Sequence, residues 1–376
     1  MQRSFGLLTL VVLVCVCHAD CHAAMENVQC KVDYNMSTCK MKISDGKEVD
    51  IVFKSSVIDK YPPPGKMIDI GGFRLHLQNM GCGSPAVIID SGLGGISSDW
   101  EFVQKEIAKF TRVVCYDRAG IAWSESSPFP RTSKQIVKEL HMLLQKANIQ
   151  KPYILVGHSF GGVNVQLYAI TYPDEVEALV LVDSASEEQL TKLPMHPLYE
   201  IFKSMHDPED DLFQSKFGFG SFVTKTYIQA KLPTAPKHVR DIYTTFFSIM
   251  RHNVTNGLEA NTFAESLHQL ALSDRSLIKN KPCILITAEL FEDLAPFKLS
   301  KEQQNEIHAK QVNWQKSWKE LQRGLAAKFT QSHQIVAQKS DHSIPWNQPE
   351  IIVRAVKELI DIFPEQKFQI CQPLLQ

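Results

Sequence analysis

Three side chains in this 376-residue chain are spaced so that they could do covalent chemistry together: a serine, a histidine and a carboxylate. The serine is Ser159, inside the run YILVGHSFGG at 153–162, where Gly157 and Gly161 flank it in a Gly-x-Ser-x-Gly string. A hydroxyl is a poor nucleophile unless a nearby base takes its proton, and in folded enzymes that base is most often histidine. His342, in SDHSIPWNQPE, is the candidate, because it falls between the last expected strand and the last expected helix. His158 is a rival, but it belongs to the turn itself and is expected to pack beneath it. Two positions are open for the acid that would orient the imidazole: Asp183, or the group Glu289, Glu292 and Asp293. Asp183 is preferred because it closes an apolar strand directly, whereas the other group is longer and irregularly spaced. The oxyanion of such a reaction needs two backbone donors. Phe160, just after the serine, and Leu93, in SGLGGISSDW, are placed to supply them.

These residues need a frame that brings them to one edge. Residues 153–156 form a short apolar strand running into the turn, and Val163, Val165, Leu167 and Tyr168 are apolar at helical spacing after it. A strand-turn-helix of this kind strains the serine backbone, which is tolerable only where neighbouring positions lack side chains. Ser159 then sits at a helix N-terminus, where N–H groups stabilise an anion.

Around this unit the chain reads as follows. Residues 30–53 alternate around Asp45-Gly46 as a hairpin, and Tyr61-Pro62-Pro63-Pro64-Gly65 breaks the chain as a linker. A second hairpin flanks Gly71-Gly72, strands follow at 86–90 and 112–116, and helices at 100–110 and 132–147. After the serine unit comes a strand at 178–182, then about a hundred residues with helical stretches and no strand signal. Strand 283–288, a polar helical piece at 301–328, strand 334–337 and a helix at 350–363 complete the pattern. Strands alternating with helices imply an α/β fold, a mostly parallel sheet flanked by helices, whose ligands bind beyond the carboxyl ends of the strands. The expected division is an extension at 26–60, a core at 61–183 and 281–365, and a helical lid insertion at 184–280. Bulky apolar residues of that insertion, such as Phe202, Phe213, Phe222, Phe246 and Met250, point to an apolar acyl or alkyl pocket.

Composition narrows the function classes. With 44% hydrophobic and 22% charged residues the chain is of ordinary globular make-up, large enough for one big core or two modest ones. A net charge of −1 and the lack of any basic tract with interleaved aromatics argue against a nucleic-acid partner. The apolar run at 5–17, followed by Ala19, Ala23 and Ala24, has the layout of a signal peptide cleaved after 19, or as late as 24. It is too short to span a bilayer comfortably, so no stable membrane insertion is expected and the chain should be secreted or reside in the secretory-pathway lumen. Sequons at Asn35 and Asn253 agree with export. Cys30 with Cys39, and Cys82 with Cys371, are candidate disulfides, while Cys115 and Cys283 lie in strand-like runs and read as buried thiols. No cysteine or histidine spacing suggests a metal site, and the chemistry asks for no cofactor.

Taken together, the segments GHSFGG, DSGLGG, YDRAGIAWSE, LVLVDS and DHSIPWNQPEIIVRAV resemble α/β-hydrolase-fold serine hydrolases of the AB hydrolase-1 type. The branch is the one with an SGLGG loop where many members carry His-Gly. The likeness covers roughly 67–363 apart from the lid, and implies Ser159 as nucleophile, His342 as base, and Leu93 and Phe160 as oxyanion donors. Where many members place an aspartate three residues after a glycine ending the penultimate strand, this chain has Ala288 and then Phe291, a second reason for Asp183. The turn YDRAG resembles the family's Asp-Arg turn, which gives Asp117 and Arg118 a stabilising role. Halide- and epoxide-opening relatives use an aspartate at the elbow, so Ser159 argues against those reactions. The expected function is a secreted, carboxylesterase- or lipase-like hydrolase of esters or amides acting on a small apolar acyl substrate. The alternative is a catalytically silent fold that binds a ligand or partner in the lid pocket, and an acyltransferase or lyase on the same triad is left open.

Overall fold

The computed structural model describes residues 38–42, 48–52, 61–194, 237–246, 250–291 and 300–363. The expected signal segment, Asn35, Cys30, Cys371, Glu292, Asp293 and most of the bulky apolar residues of the insertion lie outside them. Contacts divide the chain into two units, Met1–Pro62 and Pro63–Gln376. In the first, β1 (Thr38–Lys42) pairs antiparallel with β2 (Glu48–Val52) across the expected turn.

The second unit is built on β3 (Lys66–Asp69), β4 (Arg74–Met80), β5 (Ala86–Asp90), β6 (Val113–Tyr116), β7 (Tyr153–His158), β8 (Val176–Val182), β9 (Cys283–Ala288) and β10 (Ser332–Ala337). These eight strands form one sheet in the order β10-β9-β8-β7-β5-β6-β4-β3. Only β3 with β4 and β4 with β6 pair antiparallel; every other neighbouring pair is parallel. Parallel neighbours need crossovers, and helices supply them: α1 (Glu101–Ile107), α2 (Ser133–Lys146), α3 (Phe160–Thr171), the single turn α4 (Gln189–Lys192), α5 (Lys237–Phe246), α6 (Met250–Asn261), α7 (Phe263–Ala271) and α8 (Lys301–Ala326), while the single turn α9 (Ile344–Asn347) and α10 (Pro349–Ile362) follow the last strand.

The central strands read as unbroken apolar runs because both of their faces are covered. Alternate residues divide between two cores: Leu155, Leu179 and Leu181 meet α2, α3 and α7, while Ile154, Val156, Val180 and Val182 meet α1 and α10. Each such side chain is essentially sealed from water, which contributes about 1.5–3 kcal/mol apiece. The helix expected at 100–110 is shorter and is preceded by a 3-10 turn, Ser97–Trp100. The Asp99 carboxylate bends the chain there by accepting the Ile96 N–H at 2.9 Å. Cys115 and Cys283 are buried free thiols, and Cys82 is disulfide-bonded.

The chain runs from β5 outward to β6 and then returns to the other side of β5 with β7. At such a switch point the loops after β5 and β7 diverge, leaving a crevice beyond the carboxyl ends of the two strands. Ser91 begins one loop and Ser159 the other.

Candidate active site

Ser159 follows β7 with φ +53° and ψ −119° and caps the first turn of α3. A non-glycine residue holds such a conformation only when its surroundings over-determine it. Here the Ser159 N–H donates to the Val182 carbonyl at 3.1 Å, and its carbonyl accepts from Ala185 at 2.9 Å and Gly162 at 3.0 Å. The flanking glycines permit the close approach. A methyl carbon built on Gly161 would sit 2.2 Å from the Asp90 carbonyl oxygen, and one on Gly157 would sit 2.6 Å from that of Gly161. The elbow is thus wedged between the ends of β5 and β8.

The end of β8 carries Asp183, also at positive φ, +42°. Its side chain is buried, with Oδ2 2.7 Å from His342 Nδ1. Its Oδ1 accepts from the Trp318 indole N–H at 2.8 Å and from the Ala288 backbone N–H at 3.0 Å. Burial alone would raise the carboxyl's pKa, but the hydrogen bond and charge of His342 and the donors Trp318 and Ala288 outweigh it and hold it below the usual range. With Nδ1–H committed to this carboxylate, Nε2 is the basic nitrogen of His342.

The loop that carries His342 is itself shaped by an aspartate. Asp341 Oδ1 accepts the Ser343 N–H at 2.8 Å and the Asn347 amide at 3.1 Å, so the chain turns sharply into α9. His158 holds the loop from the elbow side. Its Nε2 donates to the His342 carbonyl at 2.8 Å, and the two rings lie 4.6 Å apart. Burial, and then the nearby charge of His342, drive the His158 pKa down to about 3, so its ring is a neutral donor. His158 is thus packed against the elbow, edge-on to Trp100 and next to His342. As the last residue of β7 it shares a face with Val156, which is the face covered by α1 and α10.

The loop after β5 reaches the same place. A methyl carbon on Gly92 would lie 3.3 Å from Ser159 Cβ and 3.0 Å from His158 Nδ1, so this backbone stacks directly on the elbow. Leu93 follows, half-buried against the core, and Phe160 begins α3 one residue after the serine. Ser159, His342, Asp183, Leu93 and Phe160 thus come from the ends of β7, β10, β8, β5 and the start of α3, at one edge of the sheet. Of the rival acids, Glu289 is turned to Lys319 Nζ at 2.6 Å, and Glu292 and Asp293 lie outside the described residues. Asn253 falls within α6. Asp117, just after β6, accepts from His76 Nδ1 at 2.8 Å and from the Ser97 N–H at 2.7 Å.

Trp318 was not singled out in the sequence, although a signal for it exists. On α8 the residues Gln311, Gln315, Trp318 and Gln322 recur at helical spacing and are buried, where a core stripe would be apolar. Each of the last three donates to the sheet edge: Gln315 to the Ala288 carbonyl at 2.9 Å, Trp318 to Asp183, and Gln322 to the Ser184 carbonyl at 2.7 Å. A cavity of about 250 Å³ lined by Pro282, Thr330, His333 and Glu358 opens at the amino ends of β9 and β10, the edge opposite Ser159. Among the described residues no cluster of three or more His, Cys, Asp or Glu could hold a metal, and no helix is long and apolar enough to cross a membrane.

Comparison with known proteins gives the arrangement a context. A family model described as alpha/beta hydrolase fold matches residues 85–370. An AB hydrolase superfamily protein of Gibberella zeae is 22% identical over 286 residues, covering 74% of this chain and 87% of that protein. The uncharacterised protein YqjL of Bacillus subtilis is 35% identical over 121 residues, 32% of this chain. The match spans 48% of YqjL, and only 20% of the length of efuK from Hormonema carpetanum. Among solved structures, Cfl2 from Burkholderia cenocepacia superposes with a TM-score of 0.57 at 18% identity, covering 78% of this chain and 94% of that one. A thermophilic esterase from Thermogutta terrifontis superposes with a TM-score of 0.51 at 18% identity, covering 79% and 97%.

Proposed function

The chain belongs to the α/β-hydrolase family, and on that premise we propose that it is a secreted serine hydrolase that cleaves carboxylic esters, or amides, through an acyl-enzyme on Ser159. In this reading the Ser159 hydroxyl attacks the acyl carbon as His342 Nε2 takes its proton. The buried charge of Asp183, 2.7 Å from Nδ1, offsets the imidazolium that forms. Negative charge developing on the acyl oxygen is met by the N–H groups of Phe160 and Leu93. Collapse of the tetrahedral intermediate expels the alcohol, which receives the proton from His342. A water molecule, deprotonated by the same nitrogen, then attacks the acyl-serine and frees the acid. No cofactor enters. The acyl group is a small apolar one, a reading that rests on the bulky apolar composition of the segment 184–280.

The observation that carries the proposal is the contact between His342 Nδ1 and the buried, ionised Asp183 beside a strained serine elbow. It also speaks against a silent binding protein, for which an acid without its histidine would have been the expected lesion. The esterase of Thermogutta terrifontis among its structural neighbours fits the same reading. Export is supported by the apolar N-terminal run, the sequons and the disulfide-bonded Cys82. The test is direct. The full chain should hydrolyse p-nitrophenyl esters and take up a fluorophosphonate probe, and Ser159→Ala should abolish both while keeping its melting temperature. Turnover retained in Ser159→Ala would sink the assignment, and a panel of esters graded by acyl length would define the pocket.

A further inference from the structure

Helix α6 belongs to the insertion, yet one of its side chains reaches beneath the loop that follows β5. Glu259 is fully buried, and its carboxylate grips Arg118 with both oxygens, Oε1 to Nε at 2.7 Å and Oε2 to Nη2 at 2.8 Å. Arg118, itself sealed from solvent, donates from Nη1 to Asp90 Oδ1 at 2.7 Å and to the Ser91 carbonyl at 2.6 Å, and from Nη2 to the Gly92 carbonyl at 2.7 Å. A guanidinium has five N–H donors in a rigid fork, and all of them are spent here. Three of the five acceptors belong to β5 and its loop, and the other two to Glu259.

The orientation follows from peptide geometry. The Gly92–Leu93 bond is trans, so its C=O and N–H point in opposite directions. With the Gly92 carbonyl fixed on Arg118, the Leu93 N–H is turned away from the guanidinium, in a backbone whose Gly92 abuts Ser159. Glu259 also takes the Gly94 N–H at a long 3.4 Å, and Asn256, one turn earlier on α6, packs on Gly94, which has φ +64°. The helix thus touches Gly94 directly and reaches Gly92 through Arg118, on either side of Leu93.

We propose that Glu259 is a positioning residue for the oxyanion-binding loop: by clamping Arg118 it fixes the Gly92–Leu93 peptide, so that the insertion completes the catalytic backbone as well as walling the pocket. The inference rests on the serine-hydrolase reading above and adds to it a role for a residue 141 positions from Arg118 in sequence. Glu259→Gln keeps the size of the side chain and removes its charge. Per active site titrated with a fluorophosphonate, its kcat should fall about 10- to 30-fold, below the 10²–10³ of losing an oxyanion donor outright. KM should stay within about twofold, because ground-state binding does not use the oxyanion site. A trifluoromethyl ketone, whose adduct places an oxyanion there, should bind more weakly by the same factor as kcat falls. Glu259→Asp, which keeps the charge, should recover part of the loss and carries the test should Glu259→Gln fail to fold. Gln269→Ala, on α7, removes an exposed contact between the insertion and Lys134 and should leave kcat unchanged. An unaltered kcat per titrated site in Glu259→Gln, with or without a lower melting temperature, would overturn the proposal by reducing Glu259 to a structural strut. A wild-type chain that neither labels nor hydrolyses would overturn the serine-hydrolase reading and this inference with it.

Discussion

Asp90 ends β5 and Asp183 follows β8, on the same sheet edge to either side of β7; both are hidden from solvent, and their surroundings drive them in opposite directions. Asp90 meets Arg118 at 2.7 Å and the Tyr116 hydroxyl at 2.8 Å, but Glu259 shares the same guanidinium. Burial is the largest influence on the Asp90 carboxyl and outweighs Arg118 and Tyr116, the charge of Glu259 adding to it, so the Asp90 pKa is raised. Asp183 has an imidazole, an indole N–H and a backbone N–H to itself, and its pKa is lowered. The difference lies in the partner. Arginine never gives up its proton, so Asp90 holds a permanent bolt. Histidine can, so the ion pair of Asp183 can be made and unmade within a catalytic cycle.

Replacing each aspartate by its amide should separate the two roles. Asp183→Asn keeps the shape of the carboxylate but cannot offset an imidazolium, so kcat should fall by about 10³- to 10⁴-fold, the scale on which triad carboxylates act. Near-UV circular dichroism should remain native. Asp90→Asn should instead act on stability, losing about 1–3 kcal/mol for a buried hydrogen bond left poorly made, because Arg118 keeps Glu259 as its counter-ion. Its kcat per titrated site should stay within about tenfold of the wild type, because Arg118 keeps its grip on the Ser91 and Gly92 carbonyls. Two variants that lost activity and stability in the same proportion would erase the distinction.

Stability against pH sharpens the same contrast through its sign. The stability Asp183 lends is complete above its unfolded pKa near 3.8 and is lost as pH falls through its lower folded value. Asp90 does the reverse. Its folded pKa lies above 3.8, so in the window between the two values the folded chain holds more protons and stability declines as pH rises. Melting curves between pH 3 and 6 for the wild type and the two amide variants should give difference slopes of opposite sign. Parallel difference curves would contradict the assignment.

What could be read in the sequence was what local pattern and strand order dictate. A Gly-x-Ser-x-Gly string between a strand and a helix needs no tertiary information to name Ser159. A parallel sheet then sends every following strand end to the same edge, which is how Asp183 and His342 could be named before any coordinate. Glu259 and Trp318 obey no such rule. They reach Arg118 and Asp183 across 141 and 135 residues, and which face a helix of the insertion presents is settled only when it docks.

Trp318 offers the finest cut between an acid that merely exists and one that is aimed. Its indole N–H is one of two donors on Asp183 Oδ1, and its ring stands edge-on to His342 at 6.5 Å. Trp318→Phe keeps an aromatic ring in the slot and removes the donor, leaving Oδ1 with the Ala288 N–H alone. Because that donor is one of the causes lowering the Asp183 pKa, its loss should raise it, so acid-induced loss of stability should begin at a higher pH than in the wild type. The carboxylate would also gain freedom to turn, and kcat should fall about three- to tenfold with KM unchanged, a loss of about 1 kcal/mol in the transition state. Trp314→Phe makes the comparison, since Trp314 stacks on Trp318 at 5.2 Å and its replacement leaves the Trp318–Asp183 hydrogen bond in place. If the two tryptophan variants slow turnover equally, the indole acts as a wedge; if only Trp318→Phe slows it, the hydrogen bond to Asp183 is what keeps the acid pointed at its histidine.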